Sequence, residues 1–180
     1  MVFLWKRGDH DAALADFNRL VEAQPKDPQA FENRGYVLFD KGKLAAALAD
    51  FDKAISLNPR KAAFFASRGQ VLQEMGDLER ELAACDQAIS LDPNFARGFY
   101  CRGTALYAKN DLSGAVAFGK TIELDANTAE AHGNLGWVLL RLGKEAEAEK
   151  EFAECIRLDP ASEAKLEKRI REARLKRPRP

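Results

Sequence analysis

Apolar positions recur along this chain at two scales. Within short stretches they keep helical spacing. Phe31, Leu38 and Phe39 share one face, and Leu44, Leu48, Phe51 and Ile55 share another. That spacing predicts amphipathic helices. Over longer stretches whole words return. "NRGYVL" at Asn33, "SRGQVL" at Ser67, "CRGTAL" at Cys101 and "NLGWVL" at Asn134 carry Gly35, Gly69, Gly103 and Gly136, spaced 34, 34 and 33 residues apart. "ISLNP" at Ile55, "ISLDP" at Ile89, "IELDA" at Ile122 and "IRLDP" at Ile156 form a second column. Gly42, Gly76, Asn110 and Gly143 form a third. Each unit reads as two helices joined by a small-residue turn, with Asn/Asp-Pro stopping the second. No alternating Val/Ile/Thr-rich run with hairpin turns is present, so no strands are expected.

These columns resemble the tetratricopeptide repeat family. The residues that carry the resemblance are Phe31, Phe65 and Phe99 four positions before the glycine, and the glycine itself. Ala13 and Ala47 follow early in the second helix, with Phe17, Phe51 and Phe118 in its aromatic column, then Ala54 and Ala88. Pro25, Pro59, Pro93 and Pro160 close the units. The resemblance implies an all-α, right-handed superhelical array of antiparallel helix pairs with a C-terminal capping helix. The expected units are a partial repeat at 1–27, full repeats at 28–61, 62–95, 96–128 and 129–162, a capping helix at 163–176 and a tail at 177–180. Leu166, Ile170 and Ala173 form the apolar stripe of that cap. Counting back by column, Met1 falls where a repeat glycine belongs, so the chain is expected to be cut from a longer array or to start at an internal Met.

Departures from the pattern carry information. The unit at 96–128 has 33 residues, and placing the loss near Asn110-Asp111 keeps Gly114 in the small column and Phe118 in the aromatic one. The alternative puts Ala115 in the small column and implies a bulge near Ala117. Glu81 stands where the family has Ala and is expected to be a tolerated edge charge that reaches solvent or a cation. Arg34, Arg68 and Arg102 share a column, and Asp16, Asp50, Asp52 and Asp86 lie on the preceding second helices. Inter-repeat Arg–Asp pairs are predicted. Before Leu135 the matching positions are Ala117 and Gly119, so the charge disappears on both sides together.

Composition narrows the function classes. Lys+Arg and Asp+Glu are 28 each, so no global charge favours nucleic acid. From Glu163 onward there are eight Lys/Arg and three Asp/Glu, which leaves the tail near +5 and the body near −5. That basic tail makes nucleic-acid contact a weaker reading, and it reads better as the solvated side of the cap. No apolar run is long enough to span a membrane. Cys85, Cys101 and Cys155 form no CxxC pair and are expected to be reduced packing residues in a cytoplasmic protein.

Two short motifs near the start invite chemistry. Arg7-Gly8-Asp9 resembles an adhesion tripeptide, and Asp9-His10-Asp11 a metal or catalytic site. By column, Gly8 is a turn residue equivalent to Gly42 and Gly76, and His10 takes the half-buried place of Leu44 and Leu78. The histidines His10 and His132 lie in different units, and no HExxH, GxSxG or phosphate-loop motif occurs. His132 reads as a partly buried packing residue. No enzyme activity, metal or cofactor is expected.

The family resemblance places ligands on the concave face lined by first helices. The column map there gives Asn33, Tyr36 and Asp40, then Gln70, then Arg97, Tyr100, Thr104 and Tyr107, then Asn134, Trp137 and Arg141. Val2, Trp5 and Lys6 belong to the same face in the partial unit. Amphipathic aromatics among them are apt recognition anchors. The carboxylate-clamp columns of chaperone-binding members hold Glu32, Tyr36, Ser67, Arg97 and Cys101, of which only Arg97 fits. The expected partner is a protein or extended peptide other than a chaperone tail, with self-association through the first repeat as the alternative.

Overall fold

The computed structural model describes residues 10–175, and every regular element among them is helical. The helices are α1 His10–Ala23, α2 Pro28–Asp40, α3 Leu44–Leu57, α4 Ala62–Met75 and α5 Leu78–Leu91. They continue as α6 Ala96–Ala108, α7 Gly114–Leu124, α8 Ala129–Arg141, α9 Glu145–Leu158 and α10 Glu163–Leu175, the last preceded by a 3-10 turn at Pro160–Ser162. The pairs α2–α3, α4–α5, α6–α7 and α8–α9 are hairpins, and each second helix packs on the first helix of the next pair. No hairpin buries its apolar faces alone, so the core is a row of clusters shared between neighbours. Val2, Trp5, Lys6 and Gly8, with the start of the partial repeat and the tail 177–180, lie outside the described residues.

Both turn columns have a physical basis. Gly42, Gly76, Asn110 and Gly143 adopt φ of 69°, 74°, 63° and 78°. At each, a backbone bond reaches back across the last helical turn, as in Lys43 N to Leu38 O (2.8 Å) and Asp111 N to Leu106 O (2.8 Å). This is the left-handed helix stop that glycine adopts without steric cost and asparagine tolerates. The Asn/Asp column ends the second helices. Asn58, Asp92, Asp125 and Asp159 each accept, through Oδ1, the backbone N–H two residues on, at 3.0–3.2 Å. These short loops therefore set the same exit angle in successive units.

The repeat glycines seat aromatic rings. A Cβ on Gly103 would lie 2.6 Å from Phe118 Cε1, and one on Gly136 would lie 2.5 Å from Phe152 Cε1. Phe51 and Phe118 are essentially inaccessible to solvent. In the shortened unit, α7 has 11 residues where α3, α5 and α9 have 14. The loss falls just after Asn110, where Gly114, Ala115 and Val116 each bond three residues back. Gly114 fits there because a Cβ would meet the Gly103 carbonyl oxygen at 3.1 Å. α7 then runs unbroken through Ala117 to Leu124, so no bulge forms.

Three expectations are corrected. Cys85 and Cys101 are not free thiols: they form a disulfide between α5 and α6, with Cα atoms 5.5 Å apart. Adjacent repeats bring positions 16 apart into register, a closeness that no CxxC spacing signals. This bond also removes the reduced-thiol argument for a cytoplasmic setting. Cys155 is free and buried, as expected. Glu81 is not an edge charge, being 0% exposed and facing no cation. Its carboxyl group lies against the disulfide, in space that an aromatic ring takes in neighbouring units.

The third correction concerns Arg34. Arg68 pairs with Asp52 at 2.8 Å and Arg102 with Asp86 at 2.9 Å, both across a repeat boundary as predicted. Arg34 instead takes Asp50 of its own hairpin, with Nε and Nη2 each 2.7 Å from a carboxylate oxygen. The column that reaches back to these arginines is 18, 52 and 86, and position 18 is Asn. Its Oδ1 accepts from Arg34 Nη1 at 3.2 Å, but it brings no charge. Asp16 binds Arg19 on its own helix.

Candidate peptide-binding groove

The first helices of the pairs meet across repeat boundaries, α4 with α6 and α6 with α8. They form a continuous wall, and their outward columns carry polar arms. Tyr36 on α2 is the hub of the first network. Its hydroxyl accepts from Arg97 Nη1 (2.8 Å) and donates to Ser67 Oγ, which in turn donates to the Ala63 carbonyl (2.9 Å). Arg97 Nη2 also donates to Gln70 Oε1 at 2.8 Å. Three repeats are tied together by side chains pointing to one side. Farther along, Asn134 Nδ2 donates to the Tyr100 hydroxyl at 3.2 Å. Burial of that phenol, with Glu130 nearby, raises its pKa, so it stays a neutral hydroxyl at ordinary pH.

Three cavities lie along this wall. One of about 230 Å³ is lined by Gln70, Arg97, Tyr100, Cys101 and Thr104, with Ala66 and Gln73. A second of about 230 Å³ lies between Tyr100, Asn134 and Trp137 on one side and Ser162, Lys165 and Arg169 on the other. The third, about 540 Å³ and open to solvent, is lined by Tyr107, Trp137, Leu140 and Arg141 with Arg169, Glu172 and Ala173 of α10. Tyr100 lines the first two and Trp137 the last two, so each cavity adjoins the next.

The expected groove residues divide accordingly. Tyr36, Gln70 and Arg97 share one hydrogen-bonded network, while Tyr100 and Thr104 join Gln70 and Arg97 around the first cavity. Asn134 lies in the second cavity, and Tyr107 and Arg141 in the third, where the guanidinium sits 5.4 Å over the Tyr107 ring. Trp137 contributes to both but is only 8% exposed. It packs edge-on against Phe152 at 5.0 Å, and Arg169 covers its ring at 4.7 Å. Asn33 and Asp40 stand apart from these cavities. Asn33 accepts from Gln29 Nε2 at 3.2 Å, and Asp40 is exposed at the end of α2.

Ser162, Lys165 and Arg169 of the cap are absent from the column map. Their signal was available, since an apolar stripe on α10 must lie on α8 and carry its flanks into the groove. Leu166 is indeed buried against Trp137, Leu139 and Phe152, with Ile170 and Ala173 packed at the edge of that cluster. His132 is a packing residue as expected, with its ring nitrogens 2.7 Å from Glu151 Oε2 and 3.2 Å from the Ala126 carbonyl.

Sequence comparison agrees with this geometry. Profiles described as tetratricopeptide repeat match residues 4–62 and 34–96, and another matches 129–162. The chain belongs to the tetratricopeptide repeat family. No curated protein sequence matches it. Among solved tetratricopeptide structures, the thermophilic TPR protein TTC0263 of Thermus thermophilus superposes with a TM-score of 0.79 at 22% identity, covering 97% of this chain and 95% of that one. YrrB, described as a TPR protein with an unusual peptide-binding site, gives a TM-score of 0.64 at 21% identity, over 88% of this chain and 82% of its own. The first TPR of Spaghetti (RPAP3), bound to the HSP90 peptide SRMEEVD, gives 0.62 at 19% identity, over 65% of this chain and 94% of its own. At these identities the likeness is one of fold. Among the described residues, no helix of this tetratricopeptide array is long and apolar enough to cross a membrane.

Proposed function

We propose that this chain is a non-catalytic scaffold that holds an extended peptide segment on the concave face formed by α2, α4, α6 and α8. The observation that carries the reading is the row of three consecutive cavities, walled by aromatic rings and edged by Gln70, Arg97, Asn134 and Arg141. Aromatic walls take side chains, and amide and guanidinium arms take peptide carbonyls, which is the division of labour that extended-peptide recognition requires. Neighbours of the same fold, one described with a peptide-binding site and one bound to a peptide, are consistent with this use. The partner is not a chaperone C-terminus. Of the clamp columns, Arg97 alone is basic, and a single guanidinium does not make a carboxylate clamp.

The test is selection from a random peptide display library, followed by affinity measurement. A selected peptide should lose about tenfold in affinity, equivalent to about 1.4 kcal/mol, in Arg97→Ala and in Asn134→Ala. It should bind Lys53→Ala, on the exposed side of α3, as it binds the unaltered protein. Peptides that bind all of these proteins equally would place the site elsewhere.

A further inference from the structure

The packing of the array rests on residue pairs four apart on the second helices: Ala13/Phe17, Ala47/Phe51, Gly114/Phe118 and Ala148/Phe152. One pair departs at both positions, Glu81/Cys85. Gly69, the glycine that faces it, has Cys101 Sγ 2.6 Å and Cys85 Sγ 3.4 Å from where a Cβ would stand. A carboxyl group and a disulfide thus replace a phenyl ring at one junction of the solenoid. This substitution supplies chemistry where the other junctions have only hydrocarbon.

Three observations converge on that junction. The two sulfurs differ in access: Cys85 is 0% exposed, whereas Cys101 is 7% exposed and lines the first groove cavity of about 230 Å³. Glu81 keeps a carboxyl oxygen within 4.8 Å of both sulfurs. Its Oε2 is buried without a hydrogen-bond partner, while Oε1 lies 3.1 Å from Thr104 Oγ1. Thr104 has a single hydroxyl proton, and the Cys101 carbonyl at 2.7 Å takes it. The Thr104 oxygen is therefore free to accept a hydrogen bond from a protonated Glu81 carboxyl, which is the arrangement of a neutral acid.

We propose that Cys101 is a site of reversible covalent attachment for a small anionic thiol entering from the groove, with Glu81 as proton donor to the departing Cys85. The thiolate sulfur attacks Cys101 Sγ, and the Cys101–Cys85 bond breaks. The electron pair leaves on Cys85 Sγ and takes the Glu81 proton. The products are a Cys101 mixed disulfide, a Cys85 thiol and a Glu81 carboxylate. Oxidation level is conserved, because one S–S bond replaces another. In reverse, the carboxylate removes the Cys85 proton, and the thiolate displaces the bound group. Without a donor, exchange would leave a thiolate buried away from solvent. Arg97 favours an anionic entrant, since its guanidinium lies on the cavity wall and donates to two neutral oxygens. The proposal does not depend on peptide binding.

The experiment uses the intact oxidised protein, reduced glutathione as the anionic thiol and cysteamine as its cationic counterpart. Acid-quenched samples are mapped by non-reducing peptide mass spectrometry. The expected result is a glutathione adduct on Cys101 with Cys85 free, forming faster than the cysteamine adduct at equal thiolate concentration. Glu81→Gln should slow adduct formation by about tenfold or more, with the disulfide and the helical circular dichroism intact. An adduct found first on Cys85, or Cys85 and Cys101 alkylated without any reductant, would overturn the proposal. So would an unchanged rate in a folded Glu81→Gln protein. Adduct mapping in the unaltered protein decides the attachment site whether or not that variant folds.

Discussion

Glu81 makes the stability of the array depend on pH with a sign opposite to that of most carboxylates. Burial raises its pKa from 4.5 to about 7. Between those values the unfolded chain releases a proton that the folded chain retains. Stability must then fall as pH rises across this window. It is fully present below about 4.5, the unfolded value, and is lost once pH has passed about 7, the folded one. At about 1.4 kcal/mol per pH unit, the loss is about 3 kcal/mol. Glu81→Gln has nearly the same shape, keeps a group for Thr104 and does not ionise. Urea unfolding followed by helical circular dichroism, from about pH 4 to about pH 8, gives both profiles. Surface groups contribute equally to the two proteins, so the difference curve isolates Glu81. It should rise in favour of the variant by about 3 kcal/mol, with most of the change between the two pKa values. A flat difference curve would refute a buried neutral acid at this junction.

Two further predictions test the packing and the ion pairs. Gly136→Ala should cost about 1–3 kcal/mol in urea unfolding, because its Cβ meets the wedged Phe152 ring. Gly119→Ala, with nothing within 4 Å of its Cβ, should gain up to about 1 kcal/mol from helix propensity alone. Arg34→Ala should cost about 3 kcal/mol, since it strands an Asp50 side chain that is only 6% exposed. Arg102→Ala, whose pair with Asp86 is open to water, should cost about 1 kcal/mol or less in the same assay. Equal losses for the two arginines would show that burial of Asp50 does not govern the cost.

The repeat was legible because its columns are steric. A left-handed stop at Gly42, a ring seated on Gly35 and an Asx cap at Asp92 each admit very few residue types, and that demand returns with little variation along the array. The groove columns were legible by the same register, which sets Tyr36, Arg97 and Asn134 on one wall. What register cannot express is the choice among neighbouring columns. The column that reaches back to the arginines holds Asp52 and Asp86 but Asn at position 18, so Arg34 finds its charge partner in Asp50 of its own hairpin. The Glu81/Cys85 junction did leave a mark, since two packing columns failed together four residues apart. Read singly, the carboxylate suggested an edge and the cysteine a small filler. Read as a pair, they describe one altered volume, and Cys101 on the next helix completes it. The low exposure of Trp137 was not legible, because α10 folds back over α8, a tertiary event beyond the last repeat.

The Cys85–Cys101 bond also changes how the array transmits force. A stack held only by nearest-neighbour packing yields one repeat at a time when pulled from its ends. Here the chain between the two sulfurs cannot extend, and about 50 Å of length stays hidden under load. Tension entering from either side bypasses the turn between α5 and α6 and crosses directly from one hairpin to the next. Cys101 also lines the groove cavity next to Arg97, so the bond anchors one wall of that cavity when the outer hairpins open. Reduction would release the hidden length, which makes the extensibility of this solenoid a function of its thiol surroundings.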